Sequence, residues 1–401
     1  MSEHPPDSIA LQAASDLIAF PSVSVNSNAE VTDWLEDRLQ ALGCRTERLE
    51  YTDPNGVRKA TVTGRMGPEP TAARPGLAYF AHSDVVPTDR WQLPESFQGL
   101  DFPRELRTRG PFEPTLAVDR LFGRGACDMK GSIACALAAA GRFAGKTLQA
   151  PFFLMVAADE EIGGQGAQYF VDKSAMYPEM VAAQTPGIVG EPTRLEVIYT
   201  HKGVCGFTAT ARGRAAHSST GKGTNANLAM IPFLADMKRI HDEAMTNSAW
   251  QNPDFDPPFL CWNIGINDHN SALNITAPLS VCTVYFRPMP GVPAAPLLDR
   301  VRASAAECGL ELKVTHDMPP LRTDPQAPFV KECLRLAGRT KPGTAPYGTD
   351  GLRLGALKQL VVMGPGDIAQ AHTRDEWIEV SQLSAGTNLY ASLIQRYCID
   401  V

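Results

Sequence analysis

Along this 401-residue chain, apolar positions gather in short continuous runs as well as in helical stripes. Such runs, bounded by Pro or Gly, read as strands buried on both faces, the kind that fill a parallel sheet. The clearest is Phe152-Phe153-Leu154-Met155-Val156-Ala157-Ala158, opened by Pro151 and closed by the loop at Gly163-Gly164. Leu77–Ala81, Gly187–Gly190 and Gln359–Met363 have the same character. Helical spacing predicts helices over Ser8–Leu42, broken at Phe20-Pro21-Ser22 and ended by Gly43, and over Ile133–Phe143, Gln165–Asp172 and Ala327–Ala337. Cys44–Glu50 and Ala60–Thr63 look like further strands. The segment Pro87–Pro114 has no period and predicts an irregular surface excursion.

From about Tyr199 the character changes. Gly203–Arg212, Leu260–Ile266, Leu279–Arg287 and Glu311–His316 read as strands, and Asn225–His241 and Ala294–Cys308 as helices. That order, β-α-β-β-α-β, predicts a ferredoxin-like insert. The expected fold is therefore α/β. A mixed, mostly parallel sheet flanked by helices spans 1–198 and 318–401, and an inserted α+β domain spans 199–317.

Composition narrows the function. Hydrophobic content of 44% with 20% charged residues is ordinary for a soluble globular enzyme. A net charge of −7 argues against a nucleic-acid partner, which needs a basic face. No apolar run approaches a membrane span, so no membrane partner is expected. Met1–Asp7 lacks the basic and apolar regions of a signal peptide, and the nine cysteines are odd in number without a C-x-x-C pair. The expectation is a cytoplasmic protein with reduced thiols. Cys127, beside Asp128, is read as packing.

The chemistry sits where these strands end. Leu77–Ala81 runs into His82-Ser83-Asp84, the central strand into Asp159-Glu160-Glu161, and Gly187–Gly190 into Glu191. Asp128 follows Gly123-Arg124-Gly125, and the last strand leads to His372. In open α/β sheets, ligands bind at the carboxyl ends of strands. Adjacent strand residues face opposite ways, which predicts different jobs for Glu160 and Glu161. Asp84, two residues from His82, can hold the ring of a ligand histidine. Taken alone, each feature also fits a solvated acidic loop or an incidental pair. Other chemistries drop out: Gly123–Asp128 fails the G-x-G-x-x-G pattern at Asp128, and no G-x-S-x-G elbow is present. Oxygen and imidazole donors from separate strands suit zinc or a similar divalent ion. Asp128, Glu161, Glu191 and a bound hydroxide sum to a charge that two divalent ions cancel and one does not.

These motifs resemble the dinuclear zinc aminoacylase and carboxypeptidase family almost end to end. The resemblance rests on Ala81–Asp84, Gly123–Gly131, Ala158–Glu161, Gly190–Thr193, His201-Lys202-Gly203, Ala216–Ser219, Asn225-Ala226, Phe286–Pro288, Gly364–Gly366 and Ala371-His372. It is most like the acetylornithine deacetylase branch. The resemblance implies a zinc aminopeptidase-like catalytic domain and a lid and dimerisation insert. It also implies two Zn²⁺, with Co²⁺ or Mn²⁺ as substitutes. Asp128 would bridge the ions, with His82 and Glu191 completing one site and Glu161 and His372 the other. Glu160 would be the general base and Asp84 the orienter of His82. Arg287 would bind the substrate carboxylate, with Asn274 and Thr349 on the substrate side. His217, lent by the partner of a homodimer, would polarise the scissile carbonyl. The implied reaction is hydrolysis of an N-acyl amino acid through a dizinc-bound hydroxide, N-acetylornithine deacetylation in arginine biosynthesis being the leading case. A succinyl-diaminopimelate desuccinylase, a dipeptidase or carboxypeptidase, and a non-catalytic metal-binding protein are the alternatives. Two features depart from the family pattern: a long segment between Asp84 and Asp128, and Tyr347–Gly351.

Overall fold

The structure, a computed structural model, describes residues 6–270 and 272–401. Residues 1–5 of the Met1–Asp7 stretch read above lie outside them. The chain forms two compact units. The first runs to Tyr199 and takes in Thr323–Gly343 and Thr349–Val401, and the second comprises Thr200–Arg322 and Thr344–Gly348.

In the first unit the strands lie in the order Arg45–Thr52, Arg58–Met66, Phe152–Ala157, Leu77–His82, Gly187–Pro192, Leu360–Gly364. Pairings among the last four are parallel. The first two pairings are antiparallel, and so is the bridge from Val362 to Ile198. The sheet is thus mixed, with its parallel part in the centre. The Phe152–Ala157 and Leu77–His82 strands are buried at every position, as their unbroken apolar runs require. Successive side chains still alternate between faces. Tyr79 meets Tyr390 of the Val380–Ile394 helix, whereas Phe80 meets Phe170 of the Gln165–Lys173 helix. Helices Pro6–Ile18, Gly131–Gly141 and Val380–Ile394 pack on one another beside the Tyr79 face. Helices therefore cover the sheet on both sides, and the strand ends are left to carry chemistry.

The 87–114 segment is more ordered than its sequence suggests. Short strands Ser96–Phe97 and Leu100–Asp101 and a turn at Arg104–Leu106 frame a small core of Leu93, Phe102, Ala117 and Phe122. Val118 and Asp119, at φ of 50° and 55°, turn the chain between strands Thr115–Ala117 and Arg120–Phe122.

The second unit is a four-stranded antiparallel sheet in the order Asn263–Asn267, Leu279–Phe286, Val204–Arg212, Glu311–Met318. Helices Ala226–Thr246 and Ala295–Glu307 complete the β-α-β-β-α-β order. Along Leu279–Phe286, Ser280, Cys282, Val284 and Phe286 are buried while their neighbours are not, the alternation of a sheet covered on one face.

Candidate metal centre

Five side chains converge at the carboxyl ends of the first unit's central strands. His82 is the last residue of its strand and Glu191 lies near the end of another. Asp128 comes from a loop rather than a strand. Gly125, at φ 85°, lets that loop turn, and a Cβ there would stand 2.8 Å from Val85 Cγ1 and 2.9 Å from Lys130 Cδ. His372 follows a short turn at Ile368–Gln370 and has φ 63°.

Glu160 and Glu161 are not strand residues as expected. They open a 3₁₀ turn, Glu160–Ile162, after Asp159 bends the chain at φ 61°. Asp159 is held by buried Lys59, whose Nζ donates to Oδ1 at 2.7 Å, and by the Tyr51 hydroxyl at 2.7 Å. What separates the two glutamates is therefore the turn and not strand alternation.

The contacts fall into two groups that share Asp128. His82 Nε2 lies 3.2 Å from Asp128 Oδ1 and 3.5 Å from Glu191 Oε1. His372 Nε2 lies 3.3 Å from Asp128 Oδ2 and 3.0 Å from Glu161 Oε2. Within each group, one donor atom from every residue lies within 4.8 Å of the others. Glu160 belongs to neither group.

The electrostatics fit cations at both places. Burial pushes Glu160 well above the usual carboxylate range, with Glu191 close by. Burial and the charge of Asp128 push Glu191 up to about 8 and Glu161 up to about 7. Burial raises Asp128 too, but hydrogen bonds from His372 and His82 outweigh it and hold the group low. His372 is pushed up to about 10 by Asp128 and Glu161. Ligand-type atoms thus pair with one another in both groups, the His82 group buried and His372 exposed. Divalent ions supply the same positive charge with the coordination numbers these donors suit.

Asp84 does more than expected. His82 Nδ1 lies 3.0 Å from the Asp84 backbone oxygen and 3.5 Å from Oδ1. Its carboxylate accepts the Ser24 hydroxyl at 2.7 Å and the N–H groups of Glu160 and Glu161 at 3.2 and 3.4 Å.

Thr349 is buried in the same unit, and its hydroxyl accepts the Gly351 N–H at 3.0 Å. The other three candidates belong to the second unit. His217 is exposed, and its Nδ1 contacts the Ser219 hydroxyl at 2.8 Å. Asn274 is exposed beside it, its backbone oxygen accepting the Ser218 N–H at 2.9 Å. Arg287 follows the Leu279–Phe286 strand, with its guanidinium 5.0 Å from the Tyr285 ring centroid.

Two acids escaped sequence reasoning. Asp350 is buried with neither carboxylate oxygen hydrogen-bonded, and burial pushes it up to about 7. Glu376 is buried under the Asp128 loop. The D-E pair at Asp375-Glu376, close after His372, was the only local signal for it.

A family model for peptidase family M20/M25/M40 matches residues 78–396. The chain belongs to this family. It is accordingly a metallohydrolase that acts on amide bonds. Over 400 residues, this M20 chain is 30% identical to acetylornithine deacetylase of Myxococcus xanthus, covering 97% of this chain and 98% of the relative. Its fold matches an M20 family metallo-carboxypeptidase from Sulfolobus solfataricus with a TM-score of 0.71 at 18% identity, over 99% of both chains. A dinuclear metal binding M20 peptidase from Bacillus subtilis matches at 0.58 and 15%, over 97% of each. Among the described residues no helix is long and apolar enough to cross a membrane.

Proposed function

We propose that this M20 hydrolase removes the acyl group from N-acyl amino acids, with N-acetylornithine as its substrate in a cytoplasmic arginine-forming pathway. The observation that carries the reading is a pair of His–carboxylate groups sharing Asp128, with the non-ligating carboxyl of Glu160 beside them. Full-length similarity to acetylornithine deacetylase supports the choice of substrate.

His82, Asp128 and Glu191 would hold one ion, and Asp128, Glu161 and His372 the other, zinc being the ion these donors favour. When bound, the ions supply Lewis-acid polarisation and acidify water. Glu160 accepts a proton from the attacking water at its carboxylate and passes it to the leaving amine nitrogen. Its side chain stands in neither ligand group, which leaves its carboxylate for the proton transfer. Asp84 keeps the Glu160 turn and the His82 ring in place.

Arg287 binds the substrate carboxylate through its planar fork. Its guanidinium lies over the Tyr285 ring, 5.0 Å from the centroid. Asn274 and Thr349 serve the substrate side. His217 polarises the scissile carbonyl, its Nδ1 engaged by Ser219 and its Nε2 the remaining polar atom of the ring.

The assembly is a homodimer formed through the second unit. Asn263–Asn267 is an edge strand with Ile266 exposed, and Leu228 and Ile231 are exposed on the Ala226–Thr246 helix. Apolar side chains in such numbers on one unit suit burial against a second copy.

The test is hydrolysis by the metal-loaded protein of a panel of N-acetyl and N-succinyl amino acids and dipeptides, with metal content measured in parallel. Acetate release from N-acetylornithine above all other substrates, with two ions per chain, is expected. Preference for N-succinyl-diaminopimelate or a dipeptide would move the substrate assignment, and a loaded protein without turnover would remove it.

A further inference from the structure

Glu376 stands four positions beyond His372 and is 1% exposed. Its buried carboxylate is surrounded by hydrogen-bond donors. Oε1 accepts the backbone N–H groups of Cys127 and Asp128, each at 2.9 Å. Oε2 accepts the Gly125 N–H at 3.0 Å and the Arg124 guanidinium at 2.8 Å. The same guanidinium donates to the Thr373 backbone oxygen at 2.9 Å, next to His372. Main-chain contacts repeat the tie: the Gly123 N–H donates to Glu376 O at 3.0 Å, and Phe122 pairs with Trp377.

The loop supplies these donors only because it is irregular. Gly125 has φ 85° and Asp128 has φ −120°, so successive N–H groups turn inward around one point instead of running along a helix. Converging backbone N–H groups form a fixed anion cradle, and here the anion is a side chain of the chain itself. One end of the cradle carries Asp128 and the other, through Arg124, carries the His372 turn. No hydrogen bond of Glu376 reaches His82 or Glu191 among the described residues.

We infer that Glu376 is a positioning residue that sets the placement of Asp128 against His372, and thereby the affinity of the Asp128–Glu161–His372 group for its ion. The inference rests on the dinuclear reading above. Glu376 touches neither ion nor substrate; it acts through the backbone of one ligand and the turn that carries another. Partners one shell removed from a metal typically change its affinity by about 10–100-fold. Replacing Glu376 by Gln keeps the shape but sets an amide N–H₂ against either the Arg124 and Gly125 donors or those of Cys127 and Asp128. The strain reaches the His82–Glu191 group through Asp128 alone, but the Glu161–His372 group through both Asp128 and the His372 turn.

The experiment is titration of the metal-free full chain with Co²⁺, followed by calorimetry and by visible absorption. The wild type is expected to bind two ions. Glu376→Gln should bind one of them about 10–100-fold more weakly, and the other, which is tied to Glu376 through Asp128 alone, by a clearly smaller factor. In a His372→Ala background the same substitution should cost the remaining ion no more than that smaller factor. A merely structural role would lower the melting temperature and leave both affinities alone, and that result overturns the inference. Equal weakening of both ions overturns it too. If Glu376→Gln does not fold, Arg124→Gln, which cuts the branch to Thr373, should weaken the same ion by about tenfold, and unchanged binding there overturns the inference. A wild-type chain that takes up fewer than two Co²⁺ overturns the dinuclear reading itself, and the inference with it.

Discussion

Asp84 Oδ1 accepts the backbone N–H of Glu160 at 3.2 Å, so one acid both supports the His82 ring and sets the position of the Glu160 turn. An amide in its place keeps one acceptor and sets two N–H groups against the donors of Ser24, Glu160 and Glu161. Asp84→Asn is expected to lower turnover by about 10–100-fold, with most of the bound metal retained. Steady-state kinetics with metal analysis checks it; unchanged turnover would mean that the turn holds its shape without Asp84.

Glu160 and Glu161 are neighbours with opposite expected phenotypes. Glu161 Oε2 faces His372 Nε2 at 3.0 Å, whereas Glu160 belongs to neither ligand group. Glu160→Ala should keep both ions and lose about 10²–10⁴ in rate, the range of a missing general base. Glu161→Ala should lose metal first and activity as a consequence. Metal loss from the Glu160 variant would make that residue a ligand.

His82 and Glu191 were legible in the sequence because each ends a buried apolar strand, and a strand's direction fixes where its last side chains stand. Asp128 was legible as a candidate but not as a position. Its loop takes its form from Glu376, 248 residues away in the chain, and no periodicity records a contact of that range. The separate placement of Glu160 and Glu161 was anticipated for the wrong reason. Strand alternation does not apply inside a 3₁₀ turn, and nothing local announced that Asp159 takes a left-handed conformation on the support of Lys59 and Tyr51. The 87–114 segment hid its order similarly, since Leu93 and Phe102 are isolated apolar residues that become a core only with Ala117 and Phe122. The second unit was easier. Its one-sided sheet writes an alternating pattern directly into Leu279–Phe286.

His201 predicts a pH dependence of stability. It is fully buried, with Nδ1 2.9 Å from the Lys202 backbone oxygen. Burial first, and the charge of Arg287 next among the lowering influences, push its pKa down from 6.5 to about 4. The unfolded chain therefore binds this proton at higher pH than the folded one. Stability from His201 is full above about pH 6.5 and is lost as pH falls towards 4, by on the order of 3 kcal/mol. Denaturant unfolding of the wild type and of His201→Gln between these pH values measures it. The variant should show the shallower decline, and parallel curves would mean that His201 does not titrate on unfolding.

The last prediction concerns His217 and the dimer. His217 is exposed in the second unit, in a small-residue loop, while all five proposed ligands lie in the first. A histidine held at Nδ1 by Ser219 presents a defined Nε2, which is what a donor to a developing oxyanion needs. If that donor comes from the partner copy, each active site requires two chains. His217→Ala should then lower turnover by about 10²–10³ without loss of metal, as removal of an oxyanion donor does. Glu160→Ala should be inactive for an independent reason. Mixing the two variants and allowing subunits to exchange yields heterodimers in which one site has Glu160 from one chain and His217 from the other. That site should recover activity, up to half the wild-type rate per heterodimer if the two sites work independently. Exchange is followed by tagging one variant and isolating the mixed species, so that recovery is read on a known population. Heterodimers without activity would place His217 in its own chain's site or outside the reaction, and a monomeric wild type in solution would remove the shared site altogether.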